Sequence, residues 1–175
     1  MKDFRSCKSS KTILNSRINK KIFHGKNNFA GEWGHHSINQ FGKICYCGKR
    51  GCVDQYISGI SLEKRWYELT GKRQSMKEIL QNYNDPSFQL WKNEFLSNFG
   101  FGIANLVSII DPDIIVLGGG LSNIDFLYQE GIQSVTNNLP KHFESISVVR
   151  NSLGDSSGSL GAALLTVQNY QSISS

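Results

Sequence analysis

Three cysteines crowded into eight residues, Cys45-Tyr-Cys47-Gly-Lys-Arg-Gly-Cys52, constrain this chain more than any other feature. Cys45 and Cys47 are too close in sequence to pair easily as a disulfide, so the cluster points to metal ligation. Two adjacent histidines, His35 and His36, precede it, with nine residues between His35 and Cys45. Three thiolates and an imidazole from either histidine complete a closed tetrahedral donor set, the kind zinc prefers. Gly48 and Gly51 let the backbone turn tightly enough to aim Cys47 and Cys52 at one point. A closed set leaves no position for water or substrate, so the expected zinc is structural and holds the loop 31–54. The remaining cysteine, Cys7, is isolated and reads as a free thiol.

The chain has 175 residues, 39% of them hydrophobic and 11% aromatic, which suits one domain or one lobe with a real core. No apolar run reaches the ~18 residues of a membrane span, and the basic start has no apolar stretch behind it. Membrane association is therefore not expected, and a reducing cytoplasm is the expected compartment. The net charge of +5 could suggest a nucleic-acid partner until it is located. Eight Lys/Arg and one acid, Asp3, fall in residues 1–26, and the rest of the chain is slightly acidic. The positive balance is that of a solvated end, so nucleic acid is not an expected partner. Residues 1–17 read as a basic, irregular segment and residues 18–175 as one lobe.

Along that lobe, residues 18–24 alternate as a short strand leading into a turn at 25–28. Helices are expected at Ile60–Leu69, capped by Ser61 and ended by Gly71, and at Met76–Tyr83, capped by Ser75. The strongest helix begins at Asp85–Pro86 and carries Phe88, Trp91, Phe95, Phe99, Ile103, Leu106 and Ile110 at three- and four-residue steps. Asp111–Pro112 stops it. Asp113–Leu117 reads as a strand buried on both faces. Gly118–Gly120 follow, then a helix from Ser122–Asn123 to about Asn138, a strand at Ile146–Val149, and a small-residue loop opening a last helix. The alternation is α/β.

GEWGHH at 31–36, CYCGKRGCVD at 45–54, DPDIIVLGGGLSN at 111–123 and GDSSGSLGAA at 154–163 together resemble the ROK family of bacterial sugar kinases and repressors. The likeness runs over roughly residues 18–168. It is most similar in wording to fructokinase (mannokinase-type) members, with N-acetylglucosamine kinases next. The resemblance implies the C-terminal lobe of an actin-like, RNase H-like ATPase with an inserted zinc-binding loop. It favours His35 over His36 as the fourth ligand beside Cys45, Cys47 and Cys52. It implies that Glu32, His35 and Asp54 contact sugar hydroxyls, Asp54 standing where the family usually has glutamate. It implies that Gly118, Gly119, Gly120, Ser122 and Gly158 line the nucleotide side, with ATP and Mg2+ as cosubstrate and cofactor and a hexose as substrate. Family members commonly dimerise through this lobe, so a homodimer is expected.

The family's first phosphate loop and its base aspartate belong to an N-terminal lobe that nothing ahead of residue 18 resembles. The expectation is a C-terminal kinase part that lacks the general base, does not phosphorylate sugar by itself, and could depend on a separately encoded first lobe. An inactive zinc-stabilised remnant that binds sugar or dimerises is the second reading. A ROK repressor fragment ranks last, because residues 1–26 show no two-helix pattern.

Overall fold

The computed structural model describes residues 17–18, 21–23, 25–27 and 29–152. Two short strands, β1 (Arg17–Ile18) and β2 (Lys21–Ile22), pair antiparallel with Arg17 opposite Ile22 and Ile18 opposite Lys21. In place of the single strand expected over 18–24 there is this antiparallel pair.

The body is built around one long helix. In chain order come α1 (Asp54–Ile57), α2 (Gly59–Thr70), α3 (Met76–Ile79) and α4 (Pro86–Ile110). At 25 residues, α4 is about 37 Å long, and α1, α2 and a later helix pack on it. It starts where the sequence predicts: Asp85 accepts a hydrogen bond from the Ser87 amide at 2.9 Å, and Pro86 supplies a preset φ with no amide to waste. It ends where Asp111 turns left-handed (φ 48°) and donates its amide to Val107 O, with Pro112 barring continuation.

The predicted apolar stripe of α4 is its buried face from Phe88 to Leu106, while its last member, Ile110, is exposed. Phe88, Trp91, Phe95 and Phe99 form a ladder of rings with successive centroids 5.6, 5.9 and 6.3 Å apart. Trp66 of α2 meets Trp91 edge-on at 6.2 Å. Both indoles are buried with their N–H satisfied, Trp91 by Leu62 O and Trp66 by Gln74 Oε1.

Several boundaries differ from expectation for local reasons. The cap of α2 is Ser58, whose hydroxyl oxygen accepts from the Ser61 amide, while Ser61 Oγ donates to Asp54 O and ties α1 to α2. Ser75 caps α3 as expected, in a reciprocal capping box with Glu78, but α3 stops at Ile79 rather than Tyr83. There Asn82 Nδ2 donates to Glu78 O at 2.6 Å, a side chain competing for a carbonyl that a longer helix would use.

β3 (Ile115–Leu117) and β4 (Val148–Arg150) pair in parallel, Ile115 beside Val148 and Val116 beside Val149. Parallel neighbours need a crossover, and α5 (Glu130–Asn137) provides it. The helix expected over 123–138 is confined to α5. Before it run two 3-10 turns, Gly120–Asn123 and Asp125–Tyr128. A period of three puts Leu121, Ile124 and Leu127 on one side, and Ile124 and Leu127 are fully buried there. β3 is not buried on both faces. Ile115 and Val148 face the core, whereas Ile114 and Val116 stand half exposed on the side that no described helix covers. The last helix of the sequence reading lies outside the described residues.

Candidate metal centre and adjoining cleft

The loop that carries the cysteines is closed by backbone bonds before any ligand is considered. Val53 N donates to His36 O, Ile38 N to Gly51 O, and Gly51 N to Lys43 O, all at 2.8–2.9 Å. Gly51 is obligatory here: its φ is +68° and a Cβ would overlap the carbonyl of Asn39. Cys45 and Gly48 form the tip, with Cys45 N donating to Lys49 O and Gly48 N to Cys45 O. The 3-10 turn Trp33–His35 brings the histidine end beside that tip.

The result is a compact donor set. One ligand atom from each of His35, Cys45, Cys47 and Cys52 lies within 4.8 Å of all the others. Cys47 Sγ and Cys52 Sγ are 3.6 Å apart, and Cys45 Sγ is 3.6 Å from His35 Nδ1. Zinc bonds of about 2.3 Å to sulfur and about 2.0 Å to nitrogen give tetrahedral edges of about 3.8 Å and about 3.5 Å. The residues therefore fit the ion that their chemistry calls for. Cys45 and Cys52 are buried and Cys47 is exposed, so the set opens to solvent on one side only. Burial pushes the Cys52 thiol up to about 12, whereas the Lys49 backbone amide holds Cys47 below the usual thiol value. The buried Cys52 thiol therefore resists ionising until a cation joins it.

The two histidines divide their work. His36 Nε2 lies 3.2 Å from Asn105 Nδ2, a side chain of α4, which docks the loop on the long helix. The candidate donor cluster contains His35 and not His36. Nothing in the sequence reading singled out Asn105. The signal was a lone amide between Ala104 and Leu106 in the otherwise apolar end of α4.

A cleft of about 820 Å³ opens beside the centre, between the 29–36 segment and the C-terminal turns of α4. Glu32, His35, His36 and Asn105 supply its polar wall, and Phe29 and Ile109 part of its apolar wall. Glu32 Oε2 stands 3.9 Å from His35 Nε2, both side chains being partly exposed. Of the three expected sugar contacts, Glu32 and His35 thus share this cleft. Asp54 does not line it; it is buried in the first turn of α1.

On the expected nucleotide side, a Cβ at Gly118, Gly119 or Gly120 would meet open space, and Gly119 takes a positive φ of 66°. Ser122 is buried and committed to the fold. Its hydroxyl donates to Gly119 O at 2.7 Å and accepts from Asn151 Nδ2 at 3.1 Å, which joins the glycine turn to the end of β4. Gly158 lies outside the described residues.

Residues 16–169 match the ROK family. The chain belongs to the ROK family. This ROK chain is 32% identical to the N-acetyl-D-glucosamine kinase of Vibrio atlanticus (strain LGP32), over 85% of its own length and 53% of that protein. It is 33% identical to the enzyme of the same name from Histophilus somni (strain 129Pt), with the same coverage. Among solved structures it superposes on a ROK hexokinase from Thermus thermophilus with a TM-score of 0.77 at 26% identity, covering 92% of this chain and 57% of that one. A ROK glucokinase from Streptomyces griseus, crystallised with glucose and AMPPNP, gives 0.75 at 27% identity, covering 89% and 57%. The architecture is therefore the ROK sugar-kinase form of the actin-like ATPase fold. The chain spans about half the length of the curated relatives it matches. Of the two relative types expected, those found here carry the N-acetylglucosamine name. Among the described residues, no helix is long and apolar enough to cross a membrane.

Proposed function

We propose that this chain forms the sugar-binding, zinc-stapled half of the cleft of an ATP-dependent hexose kinase. The observation that carries the reading is the double orientation of His35, with Nδ1 toward the thiols and Nε2 toward a cleft that it shares with Glu32. His35, Cys45, Cys47 and Cys52 would hold a zinc ion, which supplies rigidity rather than chemistry. The Glu32 carboxylate accepts protons from sugar hydroxyls, and His35 fixes the orientation of the same ring. Asp54 keeps the negative charge of the family's glutamate; its buried place in α1, outside the cleft, suits support of the loop rather than a direct sugar contact. ATP with Mg2+ would lie along Gly118–Gly120, where the bare backbone admits phosphate or ribose.

N-acetylglucosamine is the favoured hexose, ahead of fructose, because the curated relatives carry that name. The base that takes the proton from the sugar would come from an N-terminal lobe, either on the same polypeptide or separately encoded. Pairing of two chains through this lobe completes the proposal.

Calorimetric titration of the zinc-loaded chain with N-acetylglucosamine, glucose, mannose and fructose tests it. Saturable heat with at least one of them is expected, with at least a tenfold loss in Glu32→Gln. No heat from any of the four, or full affinity in Glu32→Gln, would sink the reading.

A further inference from the structure

Tyr46 stands between two of the clustered cysteines, and its hydroxyl lies 2.9 Å from His35 Nε2. Its ring meets the imidazole edge-on, with centroids 5.0 Å apart and planes at 81°. Tyr46 is 63% exposed, so surrounding packing does not force this contact. His35 Nδ1 faces Cys45 Sγ, so the lone pair on that nitrogen belongs to the ligand cluster. With a metal held on Nδ1, as proposed, the ring's proton would reside on Nε2, where the Tyr46 hydroxyl oxygen accepts it.

The same nitrogen is 3.9 Å from Glu32 Oε2. A single oxygen about 2.8 Å from both atoms fits between them, at ordinary hydrogen-bond length. A sugar hydroxyl placed there donates its proton to the carboxylate and accepts from Nε2–H. One N–H makes one strong bond, so the sugar hydroxyl and the Tyr46 hydroxyl exclude each other at this nitrogen.

We infer that Tyr46 is a placeholder for the sugar, holding His35 Nε2–H and yielding it when a hexose arrives. This rests on the Glu32–His35 reading of the cleft and adds a specificity role for a residue outside that pair. Only a ligand with a hydroxyl at the bridging point exchanges well, because Glu32 then adds a second bond that Tyr46 lacked. A deoxy sugar lacking that hydroxyl leaves Tyr46 in place.

The test uses the zinc-loaded full chain and Tyr46→Phe, which keeps the ring and removes the competing hydroxyl. Calorimetry with N-acetylglucosamine should show binding about two- to tenfold tighter in Tyr46→Phe, the range set by one solvent-accessible hydrogen bond. Unchanged or weaker binding overturns the inference. Independently, the His35 Nε2–H proton should give a slowly exchanging NMR signal in the sugar-free wild type and a fast-exchanging one in Tyr46→Phe. Equal exchange in the two proteins also overturns it. If the wild type binds none of the hexoses, the proposed function fails and the exchange comparison alone judges Tyr46.

Discussion

His35 presents its two ring nitrogens to two different environments, and His36, one residue on, serves a third. That division makes the roles separable by mutation. Cys52→Ser puts a poor zinc ligand at a fully buried position, and elemental analysis should fall from about one zinc per chain to near none. Carefully prepared wild type without zinc would refute the centre outright. Asn105→Leu removes the partner of His36 without touching the ligand set. Zinc content should stay unchanged while the 29–36 segment loosens by about 1 kcal/mol, the worth of one hydrogen bond. Faster amide exchange confined to that segment is the measurement. The gathering of Cys45, Cys47 and Cys52 was legible in the sequence because thiol spacing and glycine turns are local signals, whereas spacing alone left His35 and His36 both open. Asn105 was not, because the helical period that reveals α4 reads an amide on its edge as ordinary surface.

At the scale of elements, α4 and α5 approach so closely that only glycine fits at their crossing. A Cβ on Gly100 would overlap Ser134 Oγ and come within 2.7 Å of Ser134 O, and that hydroxyl is already bonded to Leu96 O. Gly100→Ala should therefore cost about 1–3 kcal/mol through overpacking, despite alanine's better helix propensity. A rise in melting temperature would contradict the packing argument. Across the other side of α4, Arg65 of α2 grips Glu94 with two bonds of 2.7 and 2.8 Å. The Arg65 guanidinium holds the Glu94 carboxyl below its ordinary value. A depressed carboxyl contributes stability above its unfolded value near 4.5 and loses it as pH falls further. Both groups are about a third exposed, so solvent screening keeps the contribution to roughly 1 kcal/mol or less. Glu94→Gln should lower the melting temperature at pH 7 and leave it nearly unchanged at pH 3. The long helix was readable end to end, since cap, proline and period agree. The 121–128 stretch was not, because its apolar spacing of three also belongs to an α-helix, and only packing chose the tighter turns.

For the whole molecule, the cleft is the feature that sequence reading could not supply. Its walls come from residues near 30 and residues near 108, joined by the His36–Asn105 bond rather than by any motif. Catalysis of phosphoryl transfer depends on positioning and charge stabilisation from both sides of such a cleft. If the base comes from an N-terminal lobe, as proposed, and general-base help is worth roughly 10²–10⁴-fold, residues 1–175 alone should show no useful phosphorylation of N-acetylglucosamine or fructose in a coupled ADP-release assay. Robust turnover by these residues alone would contradict the proposal that the base comes from an N-terminal lobe. The fold class, by contrast, needed no structure: strand, glycine turn, crossover and second strand are α/β in any reading.

The adjacency of the two histidines also governs how this loop can change over evolutionary time. One holds the ligand cluster and the other the long helix, so a single-residue insertion or deletion between Gly34 and Ser37 would break one attachment to keep the other. The stretch from Asn39 to Ile44 carries no ligand. It is nonetheless fixed, since the Lys43 carbonyl accepts from Gly51 N and the Asn39 carbonyl packs on Gly51, so a library of insertions should find few tolerated members there as well.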